Sequence, residues 1–120
     1  MISALSNICL LNIFVLVDGD PHGIEIAMIY RKLAKSKFRW IGIHPTEIKD
    51  LEGQMKMTQT DLLKLKFLIK KTKIDKRITK ELQLLETLGV KCEIESLIQK
   101  SGDALIDEYL PRKLINGPWL

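Results

Sequence analysis

In the stretch VDGDPHG, residues 17–23, two aspartates stand one residue apart at the end of an apolar run, residues 14–17. Residues i and i+2 of an extended chain face the same side, so Asp18 and Asp20 can converge if the strand persists to Asp20. Two close carboxylates repel each other, and a divalent cation relieves that repulsion. Carboxylate oxygens with water and phosphate are the usual shell of Mg²⁺. Gly23 allows close backbone approach, and a helix amino terminus favours a bound phosphate. The chemistry these residues fit is positioning and charge stabilisation in phosphoryl transfer. His22 is a candidate for contact with phosphate or metal-bound water, or for a structural hydrogen bond at the helix start. Glu25 reads as a partner of the helix dipole or as support for a metal ligand.

The elements around the pair follow from periodicity. Residues 12–17 read as a buried strand of a parallel sheet, since such strands are continuous apolar runs. Pro21 suits a first helical turn, and Ile24, Met28 and Tyr30 or Leu33 recur at helical spacing. Residues 38–43 (FRWIGI) read as a second strand, which makes a strand–helix–strand unit. Thr58 and Asp61 resemble a capping box before residues 62–71, which fit a helix although residues 63–67 alternate and also fit a strand. Ile78, Leu82, Leu85 and Leu88 form a helical stripe stopped by Gly89. Residues 93–99 and 103–110 read as short helices. The tail YLPRKLINGPWL, with two prolines and a glycine, is expected to be irregular.

Other chemistries fit the pair less well. Asp-Gly marks hairpin turns, but helical rather than alternating periodicity follows it. A calcium loop starting at Asp18 requires glutamate at its twelfth position, where Ile29 stands. Phosphohydrolases with an aspartyl nucleophile carry Asp-x-Asp after an apolar strand, but usually with threonine where His22 stands. The later lysine and paired aspartate that they need are not evident.

With 120 residues, 46% hydrophobic and 28% charged, the chain has the composition of a soluble globular domain. Net charge is +4. Eight basic residues and one acid, Asp75, fall within residues 64–80, a local basic surface for phosphate or a solvated helix face. Lys70, Lys71, Lys73 and Arg77 are its candidate DNA contacts. Cys9 and Cys92 have no metal-ligand spacing and suit buried free thiols of an intracellular protein. The apolar run at residues 8–17 is too short to span a bilayer.

VDGDPHGIEIAMIYR closely resembles the metal-binding segment of the meiotic double-strand-break transesterases, relatives of the A subunit of topoisomerase VI. FRWIGIHPTEI, MTQTDLLKL, GVKCEIESL and YLPRKLINGPWL resemble further family segments in the same order, so the likeness runs from Phe14 to Leu120. The resemblance implies a partial Toprim (Rossmann-like) α/β domain over residues 1–120, with short parallel strands and several helices. It implies Mg²⁺ held by Asp18 and Asp20, with Gly23 as the motif glycine. It also implies a type II topoisomerase-like (isomerase) enzyme that breaks DNA through a tyrosyl-DNA intermediate during meiotic recombination. Its expected setting is the nucleus, on chromosomes and away from any membrane. There it is expected to work as a homodimer joined by a topoisomerase VI B-like partner subunit.

The family's metal-binding glutamate and nucleophilic tyrosine lie on upstream segments, the tyrosine in a winged-helix domain. Both are expected to be absent from these 120 residues. Tyr30 and Tyr109 are expected to pack rather than react. This chain alone is therefore expected to be inactive. The alternative is a non-catalytic module, derived from that enzyme, that binds DNA or a partner.

Overall fold

A computed structural model describes residues 12–51, 53–71, 75–101 and 105–120. Strand β1 (Ile13–Leu16) leads into helix α1 (Pro21–Ala34), and a short 3₁₀ turn (Lys35–Lys37) carries the chain to β2 (Phe38–Gly42). β1 and β2 pair in parallel, Ile13 opposite Phe38 and Val15 opposite Trp40. α1 packs on both strands, as a βαβ crossover must. The expected buried strand is therefore present, but only Val15 of β1 is buried, and Phe14 is 41% exposed beside the edge of the Trp119 ring.

After β2, a 3₁₀ segment (Pro45–Asp50) precedes β3 (Gln54–Lys56), helix α2 (Gln59–Lys71), helix α3 (Lys76–Leu88) and β4 (Val90–Cys92). The Thr58–Asp61 box closes as its sequence requires. The Thr58 N–H donates to Asp61 Oδ2 at 2.8 Å, and the Asp61 N–H donates to Thr58 Oγ1 at 3.1 Å. Asp75 caps α3 by accepting the Arg77 and Ile78 amides. Gly89 ends α3 in the left-handed region at φ 70°, where a side chain would be strained. β3 and β4 pair antiparallel. Strands of three residues are too short to carry a period, which is why the sequence pattern does not show them.

Helix α4 (Ile94–Ser101), a π-helical turn (Leu105–Tyr109) and helix α5 (Leu110–Asn116) complete the chain. The tail is thus not irregular as expected. Pro111 stands in the first turn of α5, where a missing N–H costs nothing, and Gly117 stops the helix. Beyond it, Leu120 exchanges two backbone hydrogen bonds of 2.9 Å with Trp40, so the tail also covers β2. Of the helix expected over residues 103–110, residues 103 and 104 lie outside the described residues, as do Cys9 and Lys73.

The core is built from Ile24, Trp40, Leu65, Leu82 and Leu85, all with no exposed surface. A polar cluster is buried beside it. His44 Nε2 lies 2.8 Å from the Trp40 carbonyl, which can only accept, so the ring carries its proton there. That leaves Nδ1 to accept from the Lys113 ammonium at 3.3 Å. Lys113, 1% exposed, also meets Glu47 Oε2 at 3.3 Å. The Tyr109 hydroxyl donates to Glu47 Oε1. Burial, and next the Lys113 charge, push the His44 pKa down to about 4.

This depression makes the fold acid-sensitive. The unfolded chain takes up the His44 proton first, so stability is full above about pH 6.5 and falls as pH drops toward 4. For this group alone the expected loss between pH 7.5 and pH 5 is about 2 kcal/mol. Urea midpoints at both pH values should show that loss, and His44→Gln should flatten it while lowering stability at both. An unchanged pH slope in His44→Gln would contradict the assignment.

Candidate metal centre

The Asp18–Asp20 segment lies where the chain leaves one sheet for another. The parallel ladder runs one step beyond β1: the Val17 N–H donates to the Gly42 carbonyl at 2.9 Å, and the Ile43 N–H to the Val17 carbonyl at 2.8 Å. Two residues later Gly19 switches to β4, donating to the Cys92 carbonyl at 2.7 Å and accepting the Cys92 N–H at 3.2 Å. Regular strand ends at Leu16, yet the chain is still extended at Asp20 (φ −142°, ψ 169°). Backbone pairing on both sides of Asp18 thus fixes the height of the pair.

Each carboxylate caps a helix. Asp20 Oδ1 accepts the Gly23 N–H at 2.6 Å at the start of α1. Asp18 Oδ1 accepts the Ile94 N–H at 2.7 Å at the start of α4. Two helix amino termini, each carrying partial positive charge, therefore point at the aspartates. Asp20 is only 7% exposed, and no second donor among the described residues reaches its other oxygen. Its pKa is raised, first by burial and also by the neighbouring Asp18 charge, with the Gly23 hydrogen bond opposing both. A buried carboxylate with a bare oxygen beside a second carboxylate is an arrangement that a cation would relieve.

More charge surrounds the pair. Lys91, on β4, meets Asp61 Oδ2 at 2.7 Å and Glu93 Oε1 at 3.6 Å. The hydrogen bond to Asp61 is the main reason the Lys91 pKa is raised, burial opposing it and the Asp61, Glu93 and Asp20 charges adding to it. Asp61 and Glu93 thus hold one ammonium between them, within reach of the Asp20 charge. Among the described residues, no three His, Cys, Asp or Glu side chains stand together as a ready metal cage. The residues present fit an ion that takes one or two carboxylates and completes its shell with water and phosphate, which is the habit of Mg²⁺.

His22 is exposed in the first turn of α1, with Nε2 3.7 Å from Asp61 Oδ1. Glu25 lies beyond the first turn and pairs with Lys64 at 2.7 Å, so it ties α1 to α2 instead of serving the helix dipole or the aspartates. Cys92 is buried next to Gly19, and burial pushes its thiol up to about 11, which suits the structural role expected of it. In the basic cluster, Lys70 is exposed, Lys71 lies 5.6 Å from the Phe67 ring centroid, and Arg77 stands beside Asp75. Lys91, Asp61 and Glu93 carry no sequence signal as site residues. Asp61 is legible only as a cap, and its contact with Lys91 spans thirty residues of chain.

Residues 1–114 match the family model for the Toprim domain of Spo11 and of the A subunit of topoisomerase 6. The chain belongs to this family. It is 35% identical over 113 residues to the Drosophila melanogaster meiotic recombination protein W68, a match covering 84% of this chain and 33% of that protein. It is 32% identical over 125 residues to the human meiotic recombination protein SPO11, covering 90% and 32%. It is 27% identical to the A subunit of Arabidopsis thaliana DNA topoisomerase 6, covering 92% and 30%. The chain thus spans about a third of the length of the curated relatives it matches. The α/β Toprim expectation is met, with the paired aspartates at the strand-to-helix junction of the matched region.

Gly23 is the tightest point of the junction. A Cβ there would press into the Asp18 carbonyl oxygen and sit 3.0 Å from the Asp18 carbonyl carbon and nitrogen. These are backbone atoms pinned by the sheets, and they cannot swing aside. Gly23→Ala is expected to cost about 1–3 kcal/mol, as overpacking does, and to displace Asp18 from the Ile94 amide. A urea midpoint within error of wild type would refute that packing.

Proposed function

We propose that this chain is the Mg²⁺-binding part of a topoisomerase-like DNA transesterase that makes meiotic double-strand breaks through a tyrosyl-DNA intermediate and so initiates recombination. The observation that carries the reading is the buried Asp20 carboxylate beside Asp18, with one oxygen capping α1 and the other without a donor among the described residues. Asp18 and Asp20 would hold the ion. Bound Mg²⁺ would supply positive charge to the phosphate of the scissile strand. The Gly23 and Ile94 amides fix the two carboxylates, so the site needs little rearrangement to receive a cation. Lys91 pairs with Asp61 and Glu93, and among the described residues no ammonium is in contact with Asp18 or Asp20. The setting that follows is the nucleus and its chromosomes, with DNA as substrate. The working enzyme is then a homodimer joined by a B-like subunit.

Neither tyrosine of the chain is placed to attack DNA. Tyr109 is 4% exposed and bonded to Glu47, and burial with the Glu47 charge pushes its hydroxyl pKa far up. Tyr30 is half-buried against the core. The chain alone is therefore read as inactive. Incubation with end-labelled duplex DNA and Mg²⁺ should leave no protein-linked DNA on a denaturing gel, and a tyrosine-linked adduct would sink that part of the proposal.

Metal binding has its own test. Mg²⁺ at several millimolar should shift the amide resonances of residues 18–25. Asp20→Asn should fold, because an asparagine still accepts the Gly23 amide, yet should lose most of the Mg²⁺ response. Asp20→Ala removes the cap as well and should cost about 1 kcal/mol. Unchanged amide positions on metal addition would overturn the site.

A second reading, a DNA-binding module, is favoured by Lys66, Lys70, Lys76 and Lys80. All are exposed and have no acidic partner among the described residues. Binding to a short duplex should then survive Asp18→Asn with Asp20→Asn. It should weaken and lose about two to three from its salt slope when Lys66, Lys70 and Lys76 become Gln. Binding unaltered by those glutamines would leave the cluster as a solvated face.

A further inference from the structure

The aspartate pair sits at the amino end of α1. A groove of about 1050 Å³ opens at the other end of that helix, about 20 Å away by the helical rise. Its walls are the second half of α1, the start of β2, the facing sides of α2 and α3, and the tail at residues 115–120. Among the described residues six cations line it: Arg31, Lys32, Lys35, Arg39, Lys71 and Arg77. The two acids that line it are already committed, Glu25 to Lys64 and Asp75 to Arg31 and Arg77. Lys32, Lys35, Arg39 and Lys71 have no carboxylate partner among the described residues. The same groove presents bare apolar surface, with Ile29 54% and Ile115 78% exposed.

We infer that this groove docks an acidic segment of a partner protein that carries apolar anchor residues. Its surplus of positive charge calls for an anionic occupant. Its apolar surface calls for one that also buries hydrocarbon, since large exposed apolar side chains gathered in a concavity mark contact surfaces. A DNA duplex would satisfy the lysines but would set Ile29 and Ile115 against phosphates, and phosphate contacts come from cationic and polar groups. An extended peptide with acidic and apolar side chains in alternation satisfies both at once. The main-chain edge beneath is closed, because Leu120 already pairs with Trp40, so recognition rests on side chains.

The test uses the full 120-residue chain and a fluorescein-labelled peptide of about twelve residues in which Glu and Leu alternate, read by fluorescence anisotropy. The peptide should bind, and the amides of Ile29, Ile115 and Trp119 should shift. Binding should weaken at least about tenfold for Lys32→Glu with Lys35→Glu, for Ile115→Ser, and for a peptide with Ser in place of Leu. The substituted positions are exposed, so folding is spared, and the amide shifts on the unaltered chain give a readout independent of any variant. Three results would overturn the proposal. One is no binding. Another is equal binding of the Glu/Ser peptide, which would mean bare charge attraction. The last is displacement of the peptide by a short duplex at equal salt, which would make the groove a nucleic-acid surface.

Discussion

Two carboxylates one residue apart are held close against their mutual repulsion, and much of the domain is registered on the segment that carries them. The repulsion between Asp18 and Asp20 is set against two amide hydrogen bonds, one from each of two helices. Each bond fixes a side-chain rotamer and brings a helix amino terminus to bear on it. The order of assembly follows. α1 cannot start elsewhere, because Asp20 is its cap and Pro21 its first residue. α4 cannot start elsewhere, because the Ile94 amide is held by Asp18, 76 residues earlier in the chain. A single short segment thus registers both helices against the sheet.

The second constraint lies behind the pair. Gly19 pairs with Cys92, and a Cβ at Gly19 would meet the Ile43 and Ile48 side chains at 3.0 and 3.2 Å. The chain at residues 43–48 is in turn held by the buried cluster of His44, Glu47, Lys113 and Tyr109. Glu81 adds a tie from α3, accepting from the Thr46 amide and hydroxyl. A buried ammonium between an imidazole and a carboxylate is costly to desolvate and tolerable only when fully bonded. Here it fastens α5 to the turn after β2, so the tail supports the floor on which the aspartate segment rests.

Much of this is legible in the sequence because the signals are local. Pro21 after Asp20, Thr58 with Asp61, and Gly89 after a helical stripe each act within a few residues, and each does in the structure what its chemistry requires. The tail departs from expectation because proline and glycine together suggest a break. Pro111 in a first turn breaks nothing, and the turn before it supplies Tyr109 and the helix after it Lys113 to the buried cluster. β3 and β4 have too few residues to show alternation. The Lys91–Asp61 contact and the basic groove join segments far apart in sequence, and no single-chain pattern encodes such proximity. The basic run at residues 64–80 is legible as charge but not as geometry. Lys64 is spent on Glu25, and Lys71 and Arg77 line the groove.

The commitment of one oxygen of each aspartate to a backbone amide decides what kind of ion site this can be. A carboxylate so held has one lone pair of its Oδ1 taken by an amide, and its other oxygen is the one best placed for a cation. In the site proposed above the pair would offer an ion chiefly monodentate contacts, and the other positions around it would fall to water and to phosphate oxygens. On the proposed function, such a site would bind the bare ion loosely and an ion together with a phosphodiester more firmly, because the phosphate would supply ligands beyond the two aspartates. That preference would suit the proposed role, in which metal is engaged where DNA is present. It also explains why Lys91 matters although it is not a ligand. By pairing with Asp61 and Glu93, it neutralises two carboxylates that would otherwise add to the negative charge near Asp20.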